Sequence, residues 1–336
     1  MQHTILVTGG TGYIGSHTCV ELLKAGYNIV IADDLSNSEY FIVERIKHIT
    51  GKPVLFFNAD ITDRAATRKA FAEHRIDAVI HFAAYKSVGE SAKEPLKYFH
   101  NNLYSLVNLL EVMQEYNVHD MVFSSSATVY GDPDHLPVTE ATTFKKALSA
   151  YGSTKQMGEE ILAKAAATGK INAVALRYFN PVGAHASALI GELPKGIPNN
   201  LFPYVMQVAA GKLDKLTVFG NDYNTPDGSC IRDYIHVVDL AKAHVLACKR
   251  LIEKQNTHSF EVFNLGTGKG TSVLEIINAF EKITGQKLNY TIGKKREGDA
   301  AVIYADASKA AKLLQWKAQL QLDEMIRSAW AWEKQL

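Results

Sequence analysis

The stretch Thr8-Gly9-Gly10-Thr11-Gly12-Tyr13-Ile14-Gly15 admits few folds because of what flanks it. Before it, His3-Thr-Ile-Leu-Val-Thr8 is a short apolar run that reads as a buried strand; after it, a helical pattern runs from Tyr13 to Ala25, where Gly26 stops it. In a Gly-x-x-Gly-x-x-Gly turn between strand and helix, Gly9 permits the tight turn, Gly12 lets a pyrophosphate approach the backbone, and Gly15 lets the helix pack closely on the strand. The helix then presents its free N–H groups to the phosphates. Asn28-Ile-Val-Ile-Ala-Asp33 is the next strand, and Asp33 ends it where a carboxylate accepts the hydroxyls of an adenosine ribose. A 2′-phosphate would be repelled there and no Arg stands beside it, so the expected cofactor is NAD rather than NADP.

The alternation continues. Val54–Phe57, Ala78–Phe82, Met121–Phe123 and Ala173–Arg177 are apolar runs, separated by helical stretches at Ala65–His74, at Pro95–Tyr116 and from Tyr151 onward. Strands alternating with helices imply right-handed crossovers, so the expected class is α/β, a Rossmann-type doubly wound parallel sheet. After about Asn180 the texture changes: Gly, Pro and Asn punctuate Pro181–Pro203 and the elements shorten. Residues 1–180 are therefore expected to form the dinucleotide domain, with a returning segment at about 234–252. Residues 181–336 are expected to form mainly a smaller C-terminal α/β substrate lobe.

At 336 residues the chain can bury a core for such a pair of lobes. Its 36 basic and 35 acidic residues give a net charge of +1 with no basic block, so a nucleic-acid partner is not expected. No apolar stretch approaches the ~18 residues of a membrane span, so no membrane partner is expected either. Cys19, Cys230 and Cys248 form no CxxC pair, which fits buried thiols in a reducing cytosol. The first strand leaves no room for a secretory leader, and a cytoplasmic location is expected. The 12 histidines show no metal-ligand spacing, and no metal is expected. His81 reads as a satisfied residue beside the cofactor, and Trp330 and Trp332 as packing.

Ser126, in Ser-Ser-Ser-Ala-Thr-Val-Tyr-Gly (124–131), precedes Tyr151-Gly-Ser-Thr-Lys155. Tyr and Lys four apart lie one turn from each other on one side of a helix. Tyr-x-x-x-Lys alone carries little information, but in this fold ligands bind outside the carboxyl ends of the strands. Ser126 is expected to end the fifth strand, with Tyr151 and Lys155 opening the next helix, so all three converge at the nicotinamide. A phenol titrates near ~10, and a base working near neutrality needs about 4 kcal/mol of help. One ammonium at ~4 Å in an effective dielectric of ~20 supplies about that much before desolvation, and an oxidised pyridinium adds to it. The trio suits removal of a proton from an alcohol while a hydride leaves its carbon.

The segments TGGTGYIGSH, SSSATVYGD, YGSTK, LRYFNPVGAH, GIPNNL, RDYIHVVDLA, FNLGTG and REGD together resemble the UDP-glucose 4-epimerase family of the extended short-chain dehydrogenase/reductases, from Thr4 to about Trp332. The resemblance implies that bound NAD⁺ takes hydride from C4 of a UDP-hexose while Tyr151 takes the O4 proton, Ser126 hydrogen-bonds O4, and Lys155 tunes Tyr151 and binds the nicotinamide ribose. The 4-keto sugar then turns and takes the hydride back on its other face, so NAD stays bound. By the same resemblance Tyr13, Ile14, Asp33, Asp34, Leu35, Ser36, Asn37, Ser38, Asp60, Ile61, Phe82, Ala83, Ala84, Tyr85, Lys86, Asn101 and Phe179 join Gly9, Gly12, Gly15, Tyr151 and Lys155 as NAD contacts. Asn180, Asn200, Leu201, Thr217, Val218, Phe219, Arg232, Arg296 and Asp299 join Ser126 and Tyr151 at the UDP-sugar. Arg232 and Arg296 suit a pyrophosphate, and Phe219 can stack on uracil. A homodimer through Pro95–Tyr116 and Tyr151–Ala167 is also implied.

Two departures bear on this reading. Ala150 stands where the family usually has Pro before the tyrosine. Ile303 stands where a large Tyr accompanies strict glucose/galactose enzymes and a small Cys or Ser accompanies those that also take N-acetylated sugars; activity on UDP-N-acetylglucosamine, in addition or instead, therefore stays open. Three rivals lose ground on particular residues. A nucleotide-sugar dehydratase needs an Asp-Glu pair just before Val-Tyr-Gly, where this chain has Ala127 and Thr128, so elimination lacks its proton carriers. A non-catalytic NAD-binding regulator would have lost Tyr151 or Lys155, and a dehydrogenase with net turnover would have to release its cofactor.

Overall fold

Apolar runs that keep their register on both faces need cover on both faces, and the chain provides it. The structure, a computed structural model, describes residues 2–295 and 300–336. Its strands are β1 (Thr4–Thr8), β2 (Asn28–Asp33), β3 (Leu55–Asn58), β4 (Ala78–His81), β5 (Asp120–Ser124), β6 (Asn172–Tyr178), β7 (Asn180–Val182), β8 (Leu216–Phe219), β9 (Ile231–His236), β10 (Phe260–Leu265), β11 (Gly270–Ser272), β12 (Tyr290–Gly293) and β13 (Val302–Ile303). Seven of them form one parallel sheet in the order β10-β6-β5-β4-β1-β2-β3. This is the expected Rossmann-type α/β fold.

Side chains alternate across the sheet with period two. Ile5, Val7, Ile29, Ile31, Ile80, Val122 and Val174 face one core, under helices Tyr13–Lys24, Phe41–Thr50 and Val237–Ile252. Leu6, Val30, Ala32, Val79, Met121, Phe123 and Ala175 face the other, under helices Arg64–Glu73, Ser105–Glu115 and Ala150–Ala167. The order reverses at β1, which lies between β2 and β4, so the ligand crevice opens there and the glycine turn stands at its rim.

Two features were not visible in the periodicity. The stretch read as one helix, Pro95–Tyr116, contains a π-helical turn at His100–Tyr104. Asn102 is turned inward there: its Oδ1 accepts Tyr85 N at 2.9 Å, and its Nδ2 donates to Tyr85 O at 3.0 Å and Thr154 Oγ1 at 3.1 Å. The large sheet also gains β10 from far down the chain, parallel to β6 over Phe260–Leu265.

The C-terminal lobe has its own core, in which Phe202, Val205, Val218, Ile276, Phe280 and Ile326 pack together. Around it lie a small sheet, β11-β9-β13 with β7 on β9, and the pair β8 and β12. No helix among the described residues is long and apolar enough to cross a membrane.

Candidate active site

The glycine turn is as tight as its spacing requires. Gly9 has φ +69°, and a Cβ on it would stand 2.8 Å from Ala83 N. A Cβ on Gly15 would stand 2.2 Å from Gly9 O, so that position admits no side chain. Gly12 differs: an added Cβ would meet only Gly9 O, at 3.2 Å, and the outward side of the turn is open to a ligand. No side chain caps the helix that starts at Tyr13, which leaves its first-turn N–H groups for an anion. Asp33 is buried, accepting Thr11 N at 3.1 Å, Leu35 N at 3.0 Å and Ser38 Oγ at 3.0 Å. A turn that admits no side chain at Gly9 or Gly15, with a carboxylate fixed at the end of β2, fits the diphosphate and ribose of NAD.

The other residues assigned to the cofactor mostly follow the carboxyl ends of β2, β3 and β4. Asp34 folds back on Ser36 N at 2.9 Å, Asn37 is exposed beside it, and Asp60 caps its own turn at Thr62 N. The Ile61 carbonyl is held by Asn108 Nδ2 at 2.6 Å. Phe82 to Lys86 leave the end of β4, with Asn101 in the π-turn alongside. His81 Nδ1 is 2.7 Å from Thr8 Oγ1; burial first, and then the Lys155 charge, pushes its imidazole down to about 3 and keeps it neutral. Tyr13 reaches the second lobe, donating to Gly183 O at 2.6 Å, and burial followed by the Glu192 charge pushes its phenol well above the usual range.

Ser126, Tyr151 and Lys155 meet beyond the end of β5. Ser126 caps the 3₁₀ turn Ala127–Tyr130, its Oγ accepting Thr128 N at 3.2 Å and Thr128 Oγ1 at 2.9 Å. Lys155 Nζ donates to Ser124 O at 2.7 Å and lies 4.8 Å from the centre of the Phe123 ring. It stands 5.8 Å from the centre of the Tyr151 ring. That ammonium does not by itself draw the phenol down. Burial pushes Tyr151 up to about 12, against the pull of a hydrogen bond with Ser126. Burial also brings Lys155 down to about 8, opposed by the Glu159 charge. Desolvation penalises both charged forms and outweighs their mutual attraction at this separation.

Behind the trio lies a buried polar network. Glu159, one turn beyond Lys155, takes Arg177 Nη2 at 2.6 Å and Nε at 2.9 Å, and also accepts Ser125 Oγ. Arg177 Nη1 continues to Tyr130 OH at 3.0 Å, and Tyr130 OH donates to Asn264 Oδ1 at 2.5 Å. Ser124 Oγ is paired with Tyr178 OH at 2.5 Å. None of these network residues was singled out from the sequence. Arg177 did carry a signal: an arginine inside the buried run Ala173–Tyr178 demands a buried acid.

On the second lobe Asn180 opens β7, and Phe179 is buried next to it. In β8 Val218 points into the lobe's core, while Phe219, 40% exposed, offers its ring outward and Thr217 is half-buried. Asn200 stands at the N-cap position of the helix Leu201–Ala209 without a capping hydrogen bond, and its Nδ2 donates to Glu192 Oε1 at 2.8 Å. Arg232 and Ile303 are register partners on β9 and β13, and Ile303 packs on the cluster holding Ala127 and Phe179. Arg296 and Asp299 lie outside the described residues.

Comparison with known proteins finds likeness along almost the whole chain. The family model described as GDP-mannose 4,6 dehydratase matches residues 6–329. A UDP-glucose 4-epimerase of Bacillus subtilis is 53% identical over 330 residues, 98% of this chain and 96% of its own. A UDP-glucose 4-epimerase of Stenotrophomonas maltophila, solved with NAD and formylated UDP-arabinopyranose, superposes with a TM-score of 0.96 at 53% identity, covering 99% of this chain and 98% of the other. That of Bifidobacterium longum, solved with NAD⁺ and UDP, superposes with a TM-score of 0.94 at 50% identity over the same shares.

Proposed function

The chain belongs to the UDP-glucose 4-epimerase family, and from that premise we propose how its residues carry the NAD-dependent interconversion of UDP-glucose and UDP-galactose. NAD, when bound, supplies the hydride acceptor and later donor, together with a pyridinium charge. Tyr151 takes the proton from the sugar O4 and later returns it, and Ser126, whose Oγ already serves Tyr151 and Thr128, holds that oxygen. Lys155, anchored on Ser124 O, keeps a positive charge beside the phenol. The Gly9–Gly15 turn and Asp33 hold the dinucleotide on the large domain. Asn200, Leu201, Thr217, the backbone of Val218, Phe219 and Arg232, with Arg296 and Asp299, hold the UDP moiety on the C-terminal lobe.

The observation that carries this reading is the meeting of Ser126, Tyr151 and Lys155 outside β5, with no carboxylate at Ala127 or Thr128. The matching family model is described as a dehydratase, but elimination of water needs an acid and a base at those positions. Glu159, the buried carboxylate behind the site, is committed to Arg177. The expected result is that the purified protein converts UDP-galactose to UDP-glucose without added NAD, read by separating the two nucleotide sugars. No conversion after reconstitution with NAD overturns the assignment.

Ile303 is the residue expected to limit the sugar. It is the register partner of Arg232 and packs on the cluster that includes Phe179 and Ala127. Ile303→Ser removes volume there and is expected to raise the relative kcat/KM for UDP-N-acetylglucosamine by roughly tenfold. An unchanged ratio against UDP-glucose would show that Ile303 is not a gate.

The protein is also expected to form a homodimer. Leu96 (80% exposed), Tyr104 and Val107 stand out from the helices of Pro95–Glu115, and Met157 from the helix Ala150–Ala167. Exposed apolar side chains on neighbouring helices favour a second copy as their cover.

A further inference from the structure

Between the bridge that pairs Ala184 with Gly191 and the helix that starts at Leu201, the chain runs without regular structure. It is nevertheless fastened on both sides. At its start, Trp332 Nε1 donates to Glu192 O at 2.8 Å, and a Cβ on Gly191 would stand 2.4 Å from the same ring. The Glu192 carboxylate, only 11% exposed, receives Lys86 Nζ at 3.0 Å and Asn200 Nδ2 at 2.8 Å. Glu192 therefore ties the loop after β4, on the cofactor side, to the N-terminus of a lobe helix.

The second fastening is at the other end of the crevice. Lys195 Nζ donates to Leu35 O at 3.0 Å and Ser36 O at 3.2 Å, and pairs with Glu39 at 3.4 Å. Leu35 is a non-glycine residue with φ +59°, a conformation that persists only when its surroundings hold it. Its N–H is held by Asp33 Oδ1 at 3.0 Å and its carbonyl by Lys195, so the loop that presents Asp33 to a ribose is braced from both lobes.

We propose that the segment Glu192–Asn200 is a clasp that slows escape of the dinucleotide, with Lys195, on the Leu35 and Ser36 carbonyls, as its positioning residue at the ribose loop. The proposal rests on the reading that the chain carries NAD. It also gives that reading a kinetic basis. Each cycle passes through a state in which the hydride has left the sugar, and a cofactor lost at that point strands both an oxidised sugar and a reduced dinucleotide. A fastening that must open on two sides before the dinucleotide leaves makes such loss slow compared with turnover.

The test is the rate at which the purified holoenzyme releases NAD, followed by trapping the released dinucleotide with an excess of a second NAD-binding enzyme. Lys195→Ala is expected to release NAD about fivefold faster, equivalent to about 1 kcal/mol. Lys195→Glu, which sets a carboxylate against Glu39 and two carbonyls, is expected to be faster still, and Lys195→Arg to return the rate toward wild type. Wild-type rates in both the Ala and Glu variants overturn the clasp while leaving the epimerase reading intact. A wild type that carries no NAD and takes none up overturns both.

Discussion

Tyr151→Phe is expected to lower kcat by about 10³-fold or more, near the upper range for one acid–base group, while the protein keeps its fold and its NAD. The phenol has no fixed hydrogen-bonding duty in the core except its contact with Ser126, so removing one oxygen leaves the packing around an 8% exposed ring in place. Burial pushes Tyr151 up to about 12 and brings Lys155 down to about 8, so it favours the neutral form of both groups. A further positive charge beside the phenol, such as an oxidised nicotinamide brings, shifts that balance toward the tyrosinate. Two measurements check this: single-turnover reduction of bound NAD by UDP-galactose, and an ultraviolet titration of NAD-stripped protein against Tyr151→Phe. Undiminished turnover in the variant excludes Tyr151 as the base. A phenol that ionises near pH 7 in the stripped protein contradicts the burial argument.

Glu159→Gln is expected to destabilise the fold by about 3–5 kcal/mol, because it leaves the Arg177 guanidinium buried without its anion. Both side chains are almost fully covered, 6% and 4% exposed, so solvent does not soften the loss. The double variant Glu159→Met with Arg177→Met is expected to lose less than the single one, since removing both charges also removes the desolvation cost. Urea denaturation of the three proteins decides this; equal midpoints for wild type and Glu159→Gln would mean the pair contributes nothing. The same substitution reaches the chemistry. Lys155 faces the Ser124 carbonyl, the Phe123 ring, Tyr151, His81 and Glu159, and of these the Glu159 charge raises it. Without Glu159 the ammonium is lost at lower pH, so the alkaline limb of the kcat profile is expected to move toward acid.

What could be read from the sequence was whatever depends on local pattern. The glycine turn, Asp33 and the strand–helix alternation rest on backbone sterics and on period-two burial, which act over a few residues. Ser126, Tyr151 and Lys155 were placed together because the fold's topology puts the ends of strands at one rim. The π-turn at His100–Tyr104 was not legible, because it exists to bury one amide, Asn102, against residues 17 and 52 positions away. Nor was the height of the Tyr151 phenol. Counting charges along a helix gives the attraction from Lys155 but not the desolvation that outweighs it. Glu192 and Lys195 looked like polar residues in a loop until their partners across the crevice were known.

The placement of β10 bears on how the protein comes to exist. A nascent chain that has emerged only as far as residue 180 has every glycine of the cofactor turn and the whole catalytic trio, yet β6 is then a bare parallel edge. The helix Val237–Ile252, which covers Tyr13–Lys24 in the finished core, has not yet been made. Unpaired edges and uncovered apolar faces recruit other chains. The large domain therefore cannot close until about residue 265 has left the ribosome, and residues 1–180 produced alone are expected to be insoluble. Chimaeras between relatives should therefore exchange residues 181–336 only if β10 and Val237–Ile252 still match the sheet and helix they complete.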